Sequence, residues 1–177
     1  MILTTKRLIL RPWAETDAES LFEYAKDGRV GPAAGWQAHD SVEYSREIIK
    51  NVLSAPEEYA VCLKEDGVAI GSIGLLTGKN ASFGLPEDEG EIGYWIGVPF
   101  WGRGLIPEAV CALVRHAFSD LALTRLWCGY FDGNEKSRRV QEKCGFVYRY
   151  TVNDVYCKAL DRHFKEHVTS LERPPAL

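Results

Sequence analysis

The sequence contains five cysteines but no Cys-x-x-Cys pair, and no histidine stands at a spacing typical of metal ligands. These absences favour small, reduced thiols over a disulfide framework or a metal site. The sequence also lacks an apolar run approaching the roughly 20 residues needed to cross a bilayer, and its start lacks a signal-peptide core. We therefore expect a cytoplasmic protein with no metal ion and no membrane partner.

Positive charge is also scarce. The formal net charge is −4, so general affinity for a nucleic acid backbone is not expected. The 177 residues, with 46% hydrophobic content, suit one domain that spans the whole chain and buries a sizeable core.

The most informative segment runs from Glu91 to Pro107 and is typical of a strand, a glycine-containing turn and the start of a helix. Gly102 and Gly104 can adopt backbone angles closed to other residues, and Pro107 suits the first turn of a helix. A helix N-terminus presents free N–H groups and partial positive charge, which favour phosphate or pyrophosphate. Glycines in such a turn can equally be structural.

Two nucleotide-binding motifs do not match this turn. A P-loop requires Gly-Lys followed by Ser or Thr, but Gly104 is followed by Leu105 and Ile106. A dinucleotide-binding turn requires a third glycine where this chain has Pro107. The segment is therefore predicted to bind a phosphorylated cofactor of another class.

Hydrophobic periodicity and turn residues predict alternating helices and strands. Asp40 is predicted to cap a helix, with Glu43 in the capping-box position. The charged segment from Asp161 is predicted to be a solvated helix with a frayed end. The predicted strands are residues 4–11, 59–63, 68–76, 125–131, 146–152 and 155–160, the last two joined around Asn153-Asp154; the predicted helices are residues 16–25, 40–53, 107–121 and 134–143.

A set of short motifs, taken in order along most of the chain, carries a family resemblance. The motifs are Thr5 to Arg11, Gly93 to Ile96, Trp101 to Gly104 with Glu108 and Ala109, Asn134 with Ser137, and Lys143 with Gly145 and Phe146. Together they resemble the GNAT acyltransferase superfamily and, more narrowly, its ribosomal-protein N-terminal acetyltransferases. The resemblance implies a mixed α/β fold, in which helices flank a central, mostly antiparallel twisted sheet and two strands splay around the cofactor.

The resemblance also implies acetyl-CoA as the cosubstrate. Its pantetheine arm would pair with the strand before the turn, where Gly93 and Gly97 mark either a close backbone approach or simple packing. Arg103 could contact the phosphates or be a solvated cation. Trp101 replaces a usual Gln or Arg, and Ile106 replaces a small residue that would crowd the turn less. The implied pyrophosphate-binding residues are Trp101, Gly102, Arg103, Gly104, Leu105 and Ile106.

Acetyl transfer to an amine requires a polarised carbonyl, a neutral amine and a proton for the thiolate leaving group. The resemblance implies an oxyanion-binding N–H on Ile96, Gly97 or Val98. The tyrosine acid that the superfamily often uses is replaced by Gln141. Ser137 stands where the ribosomal-protein branch is proposed to use a serine instead, and it is the predicted acid. Serine is also an ordinary residue in the first turn of a helix, which is the alternative.

The remaining site residues are predicted with alternatives. Glu91 is the predicted base, since family members often carry a carboxylate there, although its acidic neighbours could be a solvated turn. Asn134 is predicted to hydrogen-bond the cofactor arm or to act only as a helix N-cap. The acceptor pocket is predicted to contain Trp36, His39 and Tyr44, for which packing is the alternative.

The sequence leaves three functions open. The first is acetylation of a protein or peptide α-amine, and the second is the same reaction on a small amine such as a polyamine, an amino acid, an amino sugar or an antibiotic. The third is a non-catalytic acyl-CoA-binding domain, suggested by the missing tyrosine and by Ile106. A homodimer is expected by analogy with the branch.

Overall fold

The fold is organised around one sheet of eight strands. The computed structural model describes residues 1–175. The strands are β1 (Leu3–Thr4), β2 (Leu8–Arg11), β3 (Glu58–Leu63), β4 (Ala69–Thr77), β5 (Glu89–Ile96), β6 (Arg125–Phe131), β7 (Val147–Cys157) and β8 (Arg162–Glu172). The α-helices are α1 (Ala18–Ala25), α2 (Val42–Ile48), α3 (Leu105–Ser119) and α4 (Glu135–Lys143).

The strand order is β1-β2-β3-β4-β5-β6-β8-β7. Neighbouring strands run antiparallel except β5 and β6, which are parallel. This arrangement confirms the predicted mixed α/β fold with a mostly antiparallel sheet. Within residues 1–175 no helix is long and apolar enough to cross a membrane.

Helices pack on both faces of the sheet because successive strand residues point to opposite faces. On β3, Val61 joins the core that includes α3, whereas Ala60 and Cys62 join the core that includes α1. Leu113 of α3 is fully buried, and burying such a side chain stabilises a fold by roughly 1.5–3 kcal/mol.

Strands β5 and β6 separate after a short parallel contact. Their register extends only from the pair Glu89–Arg125 to the pair Glu91–Trp127. Beyond these pairs β5 remains bonded to β4, and β6 remains bonded to β8. The two strands therefore diverge and leave the β5–β6 gap between them, which confirms the splayed strands expected from the sequence.

Two boundaries in the N-terminal half differ from the prediction. The opening strand is broken into β1 and β2, because the Thr5 hydroxyl accepts the Leu8 N–H at 2.9 Å and closes a turn. The cap of α2 is Ser41 rather than Asp40: Ser41 Oγ accepts the Tyr44 N–H at 3.2 Å. The helix continues after Ile48 as a π-helical turn.

The C-terminal segment differs most. The predicted turn at Asn153 is wrong, because β7 runs through this residue with an irregular register. The segment from Asp161, predicted to be a solvated helix and frayed end, is instead mostly β8, which lies between β6 and β7. Most of its charged residues lie near the hairpin end, with Glu172 at the other end. Val168, Thr169 and Ser170 are buried between the flanking strands.

Candidate active site

The glycine-containing turn lies immediately before α3. Gly102 and Gly104 have φ angles of 73° and 71°, left-handed conformations that favour glycine. Gly104 is the N-cap, so α3 begins at Leu105 and Pro107 falls inside its first turn. Residues 102–104 are exposed, and a helix N-terminus offers unpaired N–H groups and partial positive charge. The turn therefore fits a phosphate group.

Arg7 ties this turn to the first strands of the sheet. Its guanidinium donates to the carbonyl oxygens of Arg103 at 2.9 Å and Gly104 at 3.1 Å. Its Nε donates to Glu108 Oε2 at 2.7 Å, and Thr5 donates to the same carboxylate at 2.6 Å. Although burial opposes it, these hydrogen bonds hold the pKa of Glu108 below its usual value. Arg7 thus covers carbonyl oxygens that would otherwise repel an anion at the turn.

Trp101 and Ile106, the two residues that depart from the family pattern, both make contacts within the protein. Trp101 Nε1 donates to the carbonyl oxygen of Ile96 at 2.9 Å, and Lys136 Nζ lies 4.3 Å from its ring centroid. Trp101 therefore links β5 to α4 across the β5–β6 gap. Ile106 is buried in the core beneath α3, so its side chain does not crowd the turn.

Of the three residues predicted to bind the oxyanion, Ile96 is the best placed. The Gly97 N–H donates to the Ile70 carbonyl at 2.9 Å and so points toward β4. Because N–H groups alternate in direction along a strand, the Ile96 N–H points into the β5–β6 gap. Val98 already belongs to a 3₁₀ turn beyond the strand. A Cβ at Gly97 would lie 2.7 Å from the Tyr24 ring, so packing accounts for this glycine.

Ser137 lies in the first turn of α4 and is held by Tyr94 and Gln141. Its Oγ is 2.9 Å from Tyr94 Oη and accepts from Gln141 Nε2 at 3.2 Å. Thr169 donates to Gln141 Oε1 at 2.8 Å, which orients the amide with its NH₂ toward Ser137. Burial raises the pKa of Tyr94 well above its usual value, so this hydroxyl stays protonated. Tyr94 Oη can also donate to the Ser137 backbone carbonyl at 3.2 Å, so either hydroxyl of the Tyr94–Ser137 pair can be the donor at 2.9 Å. The two side chains therefore form a hydrogen-bonded pair from which Ser137 can supply a proton to a leaving group.

Tyr94 is a functional candidate to which the sequence analysis gave no role of its own. The alternation of β5 contained the necessary signal. Because side chains alternate along a strand, Tyr94 points away from the face that carries Glu91, Gly93 and Trp95. It therefore reaches α4 and Ser137.

Asn134 uses both ends of its side chain within the protein. Its Oδ1 accepts the Ser137 N–H at 3.1 Å and caps α4. Its Nδ2 donates to the Ala33 carbonyl at 3.2 Å, which attaches the glycine-rich segment before α2 to α4. Cys157 makes a second attachment by donating from Sγ to the Gly35 carbonyl at 3.2 Å. The contact predicted between Asn134 and the cofactor arm stays a prediction.

Glu91 lies on the opposite face of β5 from Tyr94. Its Oε2 accepts the Ser82 N–H at 2.6 Å. Burial raises the pKa of Glu91, although hydrogen bonds from Ser82 and the Phe83 N–H counteract this effect. The predicted base and the predicted acid, Ser137, therefore lie on opposite faces of the sheet at the β5–β6 gap.

Two carboxyl groups that sequence reasoning missed share the face of Glu91. Burial raises the pKa of Glu58, at the start of β3, to about 7. Glu166 of β8 lies over Gly129 of β6, and burial, followed by the charge of Glu91, raises its pKa. Ionised groups are rarely buried without a partner, so these two carboxyl groups are candidates for a function. The sequence alone does not reveal their burial, because that burial depends on how the strands pair.

Trp36, His39 and Tyr44 are brought together beside β5. The His39 ring centroid lies 5.3 Å from that of Trp36 and 5.0 Å from that of Tyr44. Trp36 also packs edge-to-face on Trp95 of β5 at 5.5 Å. The cluster thus borders the face that carries Glu91, and Tyr44 is 43% exposed.

His39 has the environment of a packed, neutral side chain. It is buried, and its Nδ1 lies 2.8 Å from Ser45 Oγ. Ser45 donates its one hydroxyl proton to the Ser41 carbonyl, so His39 Nδ1 must be the donor to Ser45. Burial lowers the pKa of His39, with a smaller opposing effect from Asp40. This environment favours a wall residue over a base.

The described part of the chain contains neither a disulfide nor a candidate metal site. All five cysteines are free thiols, and the Sγ atoms of Cys111 and Cys144 are 3.9 Å apart. Within residues 1–175, no group of three or more His, Cys, Asp or Glu side chains is arranged to hold a metal ion.

Comparison with known proteins adds a family context. The family model of the acetyltransferase (GNAT) domain matches residues 7–147. The Bacillus subtilis protein named "Putative ribosomal N-acetyltransferase YdaF" is 47% identical over 57 residues, which are 32% of this chain and 31% of that protein.

Two solved structures share the fold. A GNAT-family acetyltransferase from Bacillus anthracis superposes with a TM-score of 0.85 and 21% identity, covering 97% of this chain and 98% of its own. The microcin C7 self-immunity acetyltransferase MccE, solved in complex with acetyl-CoA and AMP, has a TM-score of 0.76 and 17% identity, covering 95% of this chain and 93% of its own.

Proposed function

Because the chain belongs to the GNAT acetyltransferase family and is an N-acetyltransferase, we propose that it transfers the acetyl group of acetyl-CoA to the α-amine of a protein or peptide N-terminus. The observation that carries the transfer reaction is the position of Glu91 and Ser137 on opposite faces of the sheet at the β5–β6 gap. An amine can approach from one face while the thiolate leaves toward the other.

Binding of acetyl-CoA is supported by the exposed turn that contains Gly102 and Gly104. Within this turn the carbonyl oxygens of Arg103 and Gly104 accept hydrogen bonds from Arg7. MccE, which has the same fold, binds acetyl-CoA. The pantetheine arm would enter the β5–β6 gap, where β5 has unpaired backbone groups. The thioester carbonyl would then meet the Ile96 N–H, which stabilises the developing negative charge.

The remaining chemistry needs no group beyond these side chains. We call the face of the sheet that carries Glu91, Gly93 and Trp95 the acceptor face. A neutral amine attacks the carbonyl carbon, the C–S bond breaks, and a carboxylate on the acceptor face takes the amine proton. Ser137 donates a hydrogen bond to the thiolate from the other face, supported by Tyr94 and Gln141. Three carboxylates, those of Glu58, Glu91 and Glu166, are candidates for the group that takes the proton.

A peptide acceptor is supported by the similarity to YdaF over about a third of each chain. The exposed Gly93 and the half-exposed Tyr44 leave the acceptor face open to an extended chain. A small cationic amine is the second candidate. It is favoured by Glu58, Glu91 and Glu166, because no Lys or Arg contributes to the pKa of any of them.

The test measures acetyl-CoA-dependent thiol release with matched acceptors. Peptides with a free N-terminus would be compared with the same peptides blocked at the N-terminus, and with polyamines, amino acids and aminoglycosides. Release with the free peptides alone would support the proposal, whereas release with small amines alone would select the second candidate. Calorimetric binding of acetyl-CoA without release for any acceptor would point to a non-catalytic domain.

A further inference from the structure

A bare strip of backbone crosses the acceptor face between Glu58 and the β5–β6 gap. Glu58 on β3 pairs with Gly74 on β4, and Gly74 pairs with Gly93 on β5. A methyl group on Gly74 would overlap the Glu58 carboxylate, so this side chain lies across the neighbouring strand. A methyl group on Gly93 would meet no atom within 4 Å. The strip therefore has a carboxylate at one end and open space at the other.

The distances suit an amine bound over Gly93. Neighbouring strands are about 4.8 Å apart, so a carboxylate lying over β4 is roughly one strand spacing from Gly93. That separation allows a proton transfer either directly or through one water molecule. Gly93 also precedes Tyr94, which holds Ser137 on the other face. An amine over Gly93 would therefore stand between Glu58 and the place where the thiolate leaves.

Glu58 and Glu91 differ in the groups that stabilise their carboxylates within the protein. Glu91 accepts the Ser82 N–H at 2.6 Å, which stabilises its ionised form and weakens it as a base. Burial is the sole cause of the shift at Glu58, so no charge from α1, α2 or a neighbouring strand compensates it. No side-chain N or O atom within residues 1–175 is both fully buried and unpaired, so this carboxylate faces accessible space.

We propose that Glu58 is the general base, which takes the proton of an acceptor amine bound over the Gly74–Gly93 strip. This inference rests on the proposed acetyl transfer. In the step, the amine nitrogen bonds to the thioester carbonyl carbon, the C–S bond breaks, and the departing N–H proton passes to the Glu58 carboxylate and then to solvent. Glu91 adds negative charge to this face but does not accept the proton.

The pH dependence of the reaction follows from the position of Glu58. The ionisable groups on this face of the neighbouring strands include Glu91, Glu166, Glu89 with its partner Arg125, and Arg11 with its partner Asp17, and the segment before α2 adds His39. The cause of the pKa shift at Glu58 is burial and not the charge of any of these groups. Because burial raises the pKa of Glu58 to about 7, its base form is lost as the pH falls through 7. We therefore expect kcat/KM to decline below about pH 7 in the wild type.

The experiment compares E58Q with E91Q and with E43Q, a control at an exposed site on α2. For each, kcat/KM would be measured from pH 5 to 9 with the best acceptor, and acetyl-CoA affinity by calorimetry. We expect E58Q to lose about 10²-fold in kcat/KM at pH 8 and to lose the decline near pH 7, with acetyl-CoA affinity unchanged. E43Q should match the wild type.

The outcomes separate this inference from the proposed function. If the wild type turns over and E58Q keeps both its rate and its pH profile, the assignment of Glu58 is overturned while acetyl transfer stands. If E91Q, and not E58Q, loses both the rate and the decline near pH 7, the base is Glu91. If the wild type acetylates no acceptor, the proposed function fails and the base assignment fails with it.

Discussion

Tyr94 Oη and Ser137 Oγ are 2.9 Å apart, which joins the strand that should hold the thioester to the helix that should protonate the thiolate. Gln141, at the position where the superfamily often has a tyrosine acid, donates to the same serine oxygen. The chain thus has a tyrosine hydroxyl near the leaving group, but on β5 rather than on α4. We propose that this hydrogen-bonded pair takes the place of the missing family acid.

The substitution Y94F should lower kcat about tenfold, because Ser137 loses the hydroxyl with which it forms a hydrogen-bonded pair. The acetyl-CoA KM should change little, since the ring stays in place. S137A should cost more, about 10²-fold, as expected for loss of the acid itself. Steady-state kinetics of both variants and of the double variant would check this. Additive losses in the double variant would show that Tyr94 does not act through Ser137.

Replacing Arg7 by Ala should weaken acetyl-CoA binding about tenfold, in line with roughly 1.5 kcal/mol for a hydrogen bond to a charged group. The variant uncovers the carbonyl oxygens of Arg103 and Gly104 at the turn proposed to bind phosphate. The pair with Glu108 is partly exposed, so the free energy of unfolding should change by less than about 1 kcal/mol. Calorimetry measures the affinity, and K6A, at an exposed neighbour, is the control.

The substitution G93A should raise the KM of the acceptor by at least about tenfold, the usual cost of one extra methyl group in a binding site. The added methyl group meets nothing within 4 Å in the unliganded protein, so the fold should be unaffected. Any effect must then come from the bound acceptor. Thermal unfolding would confirm the intact fold, and unchanged acceptor kinetics would show that the amine does not cross Gly93.

E58Q should be more stable than the wild type above pH 7. Because the folded-state pKa of about 7 exceeds the ordinary value of 4.5, the wild type loses stability as the pH rises from about 4.5 to 7, on the order of 2 kcal/mol. The gain in E58Q should vanish near pH 4.5. Urea unfolding at pH 4.5 and 8 measures the difference. Equal stability of both proteins at pH 8 would show that the carboxylate is well solvated.

The sequence predicted those parts of the fold in which local pattern and tertiary packing agree. Strand 125–131 has the same bounds in the structure, and helix 134–143 differs only by its cap, Asn134. β8 was missed because charged residues open it, whereas its burial comes from its place between β6 and β7. Local sequence carries no information about that placement.

The backbone conformation of the glycine-containing turn was predictable from the sequence. Gly102 and Gly104 have the left-handed conformations that their sequence positions suggest. The contacts between side chains were harder to predict from the sequence. The pairing of Tyr94 with Ser137 joins residues 43 positions apart, and the strip beside Glu58 depends on the register of three strands. Such relationships follow from strand pairing and cannot be read from composition or periodicity.

The place of β8 in the sheet has a consequence for how the protein becomes active during synthesis. β6 forms one wall of the β5–β6 gap, and β8 is its antiparallel partner along its whole length. A ribosome makes β6 well before β8, so the growing chain carries the phosphate-binding turn while that wall still has a free edge. Acetyl-CoA should therefore bind productively only after β8 has left the ribosome and paired with β6.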